Sequence, residues 1–336
     1  MTSDLHRTIR ELFNNSQNIL IVSHIRPDGD CVGSVLGLGL ALLDKGKKVQ
    51  MVLRDGVPGS LKHLPGSDLV VRKATEAYDL SVVLDCSDIN RTGGVLDGAV
   101  PDINIDHHIT NLNFAKNNFV EAENAATAAI LTKYLHQWGL SISERVAKNL
   151  ATGIIADTIG FRTSNVTPET LRLAANLMET GIRLDDLYFQ AIVQRSLDSL
   201  NYWGKGIANI QREGRLIWTK LTLKDRKAAG YNGNDDADFI NILSGVQDYD
   251  IALIFIEQPG KRVKVSWRAK PGWNVSQIAL QFGGGGHPAA AGAELSGKLE
   301  DVQSLVLSAT QLVLGGQVND NLSERDDSST NGFGDR

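Results

Sequence analysis

Cysteine is scarce, with two in 336 residues, which excludes a disulfide framework. No apolar run approaches the roughly 20 residues of a membrane span. The N-terminal MTSDLHRTIRELF has no apolar signal core. These absences predict a cytoplasmic protein that does not enter a membrane. A basic surplus is also missing: 34 Lys+Arg stand against 39 Asp+Glu, a net charge of −5. Proteins that coat long duplex nucleic acid neutralise many phosphates, so that class is excluded, whereas a short anionic ligand held locally is not. There is no internal repeat. What is there is a composition ordinary for a soluble globular chain, 42% hydrophobic and 22% charged, and a length that suggests two domains.

The stretch from Gly316 is polar and carries Arg325 and Arg336 against Asp320, Glu324, Asp326, Asp327 and Asp335, so 2 − 5 = −3 of the charge lies there. Residues 317–336 are expected to form a disordered tail, because they cannot bury enough apolar surface to fold. The first half alternates short apolar runs with helical periodicity. Asn18–Ser23, Lys48–Leu53, Ser81–Leu84 and Ile103–Ile105 read as strands, and Ser34–Leu43, Glu123–Trp138 and Ser143–Asp157 as helices. That alternation predicts an α/β domain over 1–180, with a mostly parallel sheet flanked by helices. Helical stretches at Glu169–Glu179 and Leu184–Asn201 make 181–205 a connector. Beyond it, Ile207–Gln211, Leu216–Leu221, Ile251–Glu257 and Val263–Ala269 read as strands, and Asp238–Leu243, Val275–Phe282 and Glu300–Leu314 as helices. A second, smaller α/β domain is expected over 206–316. Ligands of parallel sheets sit beyond the carboxyl ends of the strands, and the acidic motifs of the first half all follow apolar runs.

Five motifs carry chemistry. Ser23-His24-Ile25-Arg26-Pro27-Asp28-Gly29-Asp30 puts one imidazole and two carboxylates on a tight loop after a strand. This mixed donor set suits a borderline divalent cation such as Mn²⁺; the plainer alternative is that Asp28 or Asp30 caps the next helix. Asp85 ends the run Val82–Leu84, where a cap or a solvated loop acid is the plainer reading. Asp106-His107-His108 ends a third run: one imidazole could ligate a metal, or the two could be a surface pair. Asp157 closes an apolar helix, where the helix dipole disfavours negative charge, so a cation or hydrogen-bond partner is expected. Gly283 to Gly286 and His287 form a stretch whose backbone N–H groups can approach an anion, a flexible linker being the alternative. Four of the seven histidines (His24, His107, His108 and His287) fall in these motifs, a concentration that scattered surface histidines would not show.

In this order and spacing, His24-x-x-x-Asp28-x-Asp30, Asp85, Asp106-His107-His108 and Asp157 resemble the four motifs of the DHH phosphoesterase superfamily. Gly283–Gly286, His287 and Ala289-Ala290-Ala291-Gly292 resemble the signature of its associated C-terminal domain. The match spans about residues 10–315, and within the superfamily it is most similar to the NrnA-like group. That group combines oligoribonuclease with 3′-phosphoadenosine 5′-phosphate (PAP) phosphatase activity. The resemblance implies a DHH domain, a DHH-associated substrate-binding domain and an active site in the cleft between them. It implies two divalent ions, usually Mn²⁺, with Mg²⁺ or Co²⁺ as substitutes. His24, Asp28 and Asp85 would hold one ion; Asp30, Asp85, His107 and Asp157 the other, with Asp85 bridging. Asp106 would orient His107, and His108 would lie beside the scissile phosphate. A hydroxide shared by the ions would attack phosphorus. Arg268, with Gly284, Gly285, Gly286 and His287, would hold a substrate phosphate and so select short RNA and nucleotide bisphosphates. Counting by two along the strand sets Arg268 on the face opposite Val263, Val265 and Trp267.

The residues after Asp157 read Thr158-Ile159-Gly160-Phe161-Arg162, a departure from the family's Asp-Thr-Gly, so Arg162 is left out of the site. Cys31 and Cys86 each follow a ligand candidate and read as packing residues, an oxidisable thiol being the alternative. Trp203, Trp218 and Trp273 could stack on bases or belong to the core. A Ser-Arg-Lys-Lys type loop, as in the related pyrophosphatases, is missing, and the chain is too short for the extra domains of RecJ-type exonucleases. The remaining alternatives are a cyclic or linear dinucleotide phosphodiesterase and a nucleotide sensor without catalysis. A homodimer is the commonest oligomer and is kept as an option.

Overall fold

The computed structural model describes residues 2–233 and 236–327. The chain divides into two compact units, Met1–Gln194 and Arg195–Arg336. In the first unit the short apolar runs form β1 (Asn18–Val22), β2 (Lys48–Val52), β3 (Val70–Val71), β4 (Leu80–Leu84), β5 (Ile103–Asp106) and β6 (Asn117–Val120). They pair in parallel throughout, in the order β3-β2-β1-β4-β5-β6. Such sheets are covered on both faces, which is why β1 from Ile19 and β4 from Val82 are continuous apolar runs rather than alternating ones, and why β4 is buried at every residue. The chain runs outward from β1 to β3, then returns to β4 on the other side of β1. This reversal makes the β1/β4 junction the topological switch point, the place where a crevice opens at the carboxyl ends.

The helices of this unit are α1 (Thr2–Asn15), α2 (Gly29–Asp44), α3 (Thr127–Tyr134), α4 (Glu144–Asp157), α5 (Pro168–Met178) and α6 (Leu184–Tyr188). Every residue of α2 from Asp30 to Leu42 is buried. Gly29, Gly33 and Gly37 recur every four residues and share one face of α2. That face lies against α4 at backbone distance: a Cβ at Gly33 would stand 2.5 Å from the Asn149 carbonyl oxygen and 2.9 Å from the Gly153 nitrogen. The close approach sets Asp30, near the start of α2, beside the far end of α4.

The second unit contains α7 (Leu197–Ala208), β7 (Gln211–Glu213), β8 (Leu216–Leu221), α8 (Leu223–Ala229), α9 (Phe239–Leu243), β9 (Ile251–Gln258), β10 (Arg262–Ala269), α10 (Ser276–Gln281), β11 (Gly285–His287), β12 (Ala290–Ser296) and α11 (Leu299–Asp327). Its sheet runs β11-β12-β10-β9-β8-β7, with β8 and β9 parallel and the other pairs antiparallel. Val263, Val265 and Trp267 on β10 are fully buried in its core. Trp218 and Trp273 pack against that core, and Trp203 packs against a second one around Tyr202 and Phe239.

Several expected elements change. The helix read over Glu123–Trp138 shrinks to α3, because its N-terminus is capped by a side chain from elsewhere, described below. The single helix over Leu184–Asn201 breaks: α6 ends at Tyr188, a π-helical turn follows at Phe189–Val193, and Ser196 starts α7 by accepting a hydrogen bond from the Ser199 N–H. Ile207, read as strand, belongs to α7, and its exposed β-branched side chain had mimicked a strand residue. The expected tail is corrected in part. α11 continues to Asp327, with no proline in the segment to stop it. Residues 328–336 of that tail lie outside the described residues. Among the described residues, no helix is long and apolar enough to cross a membrane.

Gly33→Ala tests the α2–α4 contact by sign. On propensity alone, alanine in a helix interior is favoured by about 1 kcal/mol. Overlap with the α4 backbone instead predicts a loss of about 1–3 kcal/mol, read by urea unfolding. A stabilised variant would mean that the two helices do not meet there.

Candidate active site

The carboxyl ends of β1, β4 and β5 and the end of α4 deliver the four motifs of the first unit to one place. His24 stands two residues past β1 and is almost fully buried. Its Nδ1 lies 2.9 Å from the Ile25 carbonyl oxygen, which can only accept. In the neutral ring the proton is therefore on Nδ1, and Nε2 turns its lone pair toward Asp85 at 3.4 Å and Asp28 at 3.8 Å. His107 repeats the device. Its Nδ1 lies 3.2 Å from the Asn124 carbonyl oxygen, and its Nε2 faces Asp85 at 3.6 Å, Asp157 at 3.7 Å and Asp30 at 3.9 Å. Two imidazole lone pairs thus point at a group of carboxylates, mostly at separations beyond hydrogen-bond length. Such an array repels itself unless protons on the imidazoles or a cation lie within it.

Asp85 is the centre. It is 2% exposed and directly follows β4, with φ at +51°. This left-handed conformation is uncommon outside glycine, though Asp and Asn tolerate it best; the strain sits at the one carboxylate that both imidazoles face. The Thr127 hydroxyl donates to it at 3.1 Å. Burial alone would raise the Asp85 carboxyl, but His24, His108 and His107 hold it below its ordinary range. Asp30 goes the other way: burial, with Asp85 and Asp157 nearby, pushes its carboxyl well above that range. Carboxylates driven apart in this manner mark a site short of positive charge.

The supporting contacts explain how the carboxylates stay in place. Asp30 accepts from the Thr127 N–H at 2.7 Å and the Ala128 N–H at 2.9 Å. These are the first N–H groups of α3, whose own N-cap, Ala126, has no side chain to offer. Asp28 caps α2 through Oδ1, which accepts from the Cys31 N–H at 2.9 Å, while Oδ2 faces His24. The capping and the ligand readings of Asp28 are thus met by different oxygens of one carboxylate. Ser23 donates to the Leu84 carbonyl oxygen at 2.6 Å and ties the end of β1 to that of β4.

Asp106 differs from expectation. Its Oδ1 accepts from the His108 ring at 2.7 Å and from the His107 backbone N–H at 2.9 Å; the Asn111 amide donates to Oδ2 at 2.6 Å. It therefore orients the ring of His108, while the ring of His107 is set by the Asn124 carbonyl. Thr127, Asn111 and Asn124 are residues that sequence reasoning missed. A short polar side chain in a loop has no periodicity to reveal it, and the Asn124 contribution is a backbone oxygen that any residue would carry.

The chemistry of the donor set fits divalent ions. His24, Asp28 and Asp85 offer ligand atoms within 4.8 Å of one another, as do Asp30, Asp85 and His107, and Asp85 is common to both groups. Asp157, the last residue of α4, reaches His107. Past Thr158, Ile159, Gly160 and Phe161 all have positive φ, a left-handed turn two residues after the acid. Cys31 and Cys86 are fully buried. Burial raises the Cys31 thiol and pushes Cys86 up to about 12, so neither carries appreciable thiolate, as expected of packing residues.

The candidates of the second unit share its sheet. Arg268 of β10 and His287 of β11 both pair with Ala290 of the intervening β12, so they occupy one face. The Arg268 guanidinium donates to the Asn241 side-chain oxygen at 3.2 Å and to the Trp267 carbonyl oxygen at 3.0 Å. Gly284 and Gly286 have a packing reason of their own. A Cβ at either would stand 2.2 Å from the Gly292 carbonyl oxygen or 2.4 Å from that of Ala290. Gly285 has open space at that position.

Residues 18–154 match the model of the DHH family N-terminal domain, and residues 221–313 that of the DHHA1 domain. The chain is 34% identical over 299 residues to the bifunctional oligoribonuclease and PAP phosphatase NrnA of Thermus thermophilus, covering 87% of this chain and 89% of that protein. It is 25% identical to the Bacillus subtilis protein of the same name, covering 88% and 93%. The crystal structure of an exopolyphosphatase-related protein from Bacteroides fragilis superposes with a TM-score of 0.83 at 24% identity, over 94% of this chain and 96% of that one, and shows the same fold.

The two imidazoles give the site a pH dependence. Burial alone would lower His24, but its hydrogen bonds to Asp85 and Cys31 and the nearby Asp28 carboxylate outweigh it, and His107 is raised against burial by Asp85, Asp30 and Asp106. Without metal, both rings keep their protons to higher pH than an ordinary imidazole, near 6.5. A cation must displace those protons. Mn²⁺ affinity should therefore rise as pH increases through and above about 6.5, with proton release visible in titration calorimetry in two buffers of different ionisation enthalpy. A pH-independent affinity without proton release would remove the imidazoles from the ligand set.

Proposed function

We propose, on the premise that the chain belongs to the DHH family of phosphoesterases, that it hydrolyses short oligoribonucleotides to mononucleotides and dephosphorylates 3′-phosphoadenosine 5′-phosphate to AMP. The observation that carries this reading is the buried array around Asp85, with two imidazole lone pairs and several carboxylates facing one another. The reading is supported further by the similarity to the Thermus thermophilus oligoribonuclease and PAP phosphatase over nearly the full length of both chains.

His24, Asp28 and Asp85 would hold one divalent ion, and Asp30, Asp85, His107 and Asp157 a second. The mix of imidazole nitrogen with carboxylate oxygen favours Mn²⁺, with Mg²⁺ and Co²⁺ as alternatives. When bound, such ions supply an activated water and offset the charge that builds on phosphoryl oxygens. Asp106 holds the Nδ1 edge of His108 and fixes the ring, which makes Nε2 the atom we assign to the scissile phosphate. Thr127 steadies the shared carboxylate of Asp85. Asp30 is kept in place by the start of α3. In the second unit Arg268, His287 and the backbone of Gly284–Gly286 would take the far phosphate of the substrate. The guanidinium fork suits a terminal phosphate because it can donate two parallel hydrogen bonds. Short RNA and nucleotide bisphosphates are intracellular compounds, which supports a cytoplasmic location.

A second reading is a dinucleotide phosphodiesterase. It is favoured by 23% identity to the cyclic-di-AMP phosphodiesterase PdeA of Listeria monocytogenes, over 87% of this chain but only 47% of that protein.

The test is a substrate panel with Mn²⁺: a 5′-labelled RNA dinucleotide, a pentanucleotide, a long RNA, PAP, cyclic di-AMP and pyrophosphate. Rapid turnover of the short RNAs and PAP is expected. Asp85→Asn keeps the backbone conformation that Asn tolerates and should lose more than about 100-fold in rate, since even groups behind metal ligands cost 10- to 100-fold. Cleavage confined to cyclic di-AMP or dinucleotides would replace the first reading by the second. No turnover by metal-loaded protein would leave a sensor. Arg268→Ala should raise KM roughly tenfold or more, in line with the roughly 1.5–3 kcal/mol of a charged hydrogen bond, with a smaller effect on kcat.

A further inference from the structure

We propose that the carboxyl edge of the first unit's sheet continues past the carboxylate array as a cationic groove for the additional phosphates of a single-stranded oligonucleotide, contacted by Arg54, Arg72 and Lys73. The proposal rests on the phosphoesterase reading above and adds to it the residues that favour longer substrates over a nucleotide bisphosphate.

The strand order makes the argument. Read along the carboxyl edge, β3 is followed by Arg72 and Lys73, β2 by Arg54, β1 by His24, β4 by Asp85, and β5 ends in Asp106 with His107 and His108 behind it. Neighbouring strands lie about 4.8 Å apart. The cations therefore occupy one to two strand positions beyond His24, on the side away from Asp85. The registers Val22↔Val52 and Val52↔Val71 keep the three strand ends level. The Leu53 N–H donates to the Val71 carbonyl oxygen at 3.0 Å and carries the pairing one residue further.

Contacts between the loops tie this basic end to the candidate site. The Arg26 N–H donates to Asp55 Oδ2 at 2.6 Å, joining the loop after β1 to the loop after β2. Gly93 lies where two side chains converge: a Cβ there would be 2.7 Å from the Ile25 side chain, next to His24, and 3.1 Å from the Arg54 stem. The Arg72 guanidinium lies over Gly56, whose Cβ would be 3.3 Å from Nε. Arg54, Val71, Arg72, Lys73 and Thr75 line a concavity of about 550 Å³.

These three cations are exposed and, among the described residues, take part in no ion pair. Asp55 is close in sequence but receives the Arg26 N–H. A row of cations along the two strand ends beyond His24 suits a single phosphodiester backbone and focuses an anion toward the array. A nucleotide bisphosphate, with no further nucleotides, would not extend along it.

The experiment compares parent with the triple variant Arg54→Ala, Arg72→Ala, Lys73→Ala, using an RNA pentanucleotide and PAP with Mn²⁺. The ratio of KM for pentanucleotide to KM for PAP should rise at least tenfold. The slope of log(kcat/KM) for the pentanucleotide against log salt should fall in magnitude by about 2, at roughly 0.7 per phosphate contact on single strands. Restoring the charges as Arg54→Lys and Arg72→Lys with Lys73 intact should recover most of the ratio. An unchanged ratio with an unchanged salt slope would overturn the proposal. If the parent turns over neither substrate, the phosphoesterase reading fails separately, and the groove is judged by fluorescence anisotropy of the labelled pentanucleotide. Equal affinity of parent and variant there would overturn it, and a salt-dependent loss would sustain it.

Discussion

The carboxylate of Asp30 is the contact on which the first unit turns. It sits at the start of α2, is 1% exposed, and accepts from the first two N–H groups of α3, almost a hundred positions away. A buried helix start with no cap of its own needs an anion, and a buried carboxylate needs donors. Each requirement satisfies the other. The same contact fixes the start of α3 at Thr127, whose hydroxyl then reaches Asp85. It also depends on the glycine face of α2: a Cβ at Gly153 of α4 would lie 2.9 Å from Asp30 Oδ1. Helix packing, helix capping and the candidate ligand array are therefore one arrangement.

Seen from the sheet, function follows from where connections reverse. The crossing from β3 back to β4 places His24 and Asp85 on neighbouring strand ends, one on each side of the switch point. β5 adds Asp106 and His107, and α4 delivers Asp157 from the face above. The backbone supplies the second half of the chemistry. Carbonyl oxygens of Ile25 and Asn124 hold the Nδ1 edges of the two imidazoles, so that both Nε2 atoms turn inward. Burial then works through charge: Asp30 and Asp85 are pushed in opposite directions, as happens when neighbouring carboxylates compete for too little positive charge.

Much of this was legible in the residues themselves. Buried parallel strands are short apolar runs, so β1, β4 and β5 could be read to within a residue or two, and with them the acids that follow. The grouping of four histidines with spaced aspartates carried both the metal chemistry and the family resemblance. Other features gave no local signal. β3 has only two residues and β11 only three, and β12 opens on the small residues Ala290-Ala291-Gly292-Ala293, which carry little strand signal. Ile207 looked like strand because β-branched residues favour strands, yet Ser196 starts a helix that includes it. Gly29, Gly33 and Gly37 had the spacing of a helix face in plain view, but only the partner helix gives that spacing its meaning.

The sequence by itself determined the identity and order of the chemical groups, the parallel α/β character of the first unit and the strand ends that carry its acids. These follow from composition and period, which are properties of neighbours along the chain. Tertiary structure alone decided that Asp30 caps α3, that Asp106 steers His108 rather than His107, that two carbonyl oxygens orient the imidazoles, and that Arg54, Arg72 and Lys73 share one sheet edge with His24. Each of these joins atoms distant in sequence through hydrogen bonds or packing that only strand order and helix contact can bring within reach.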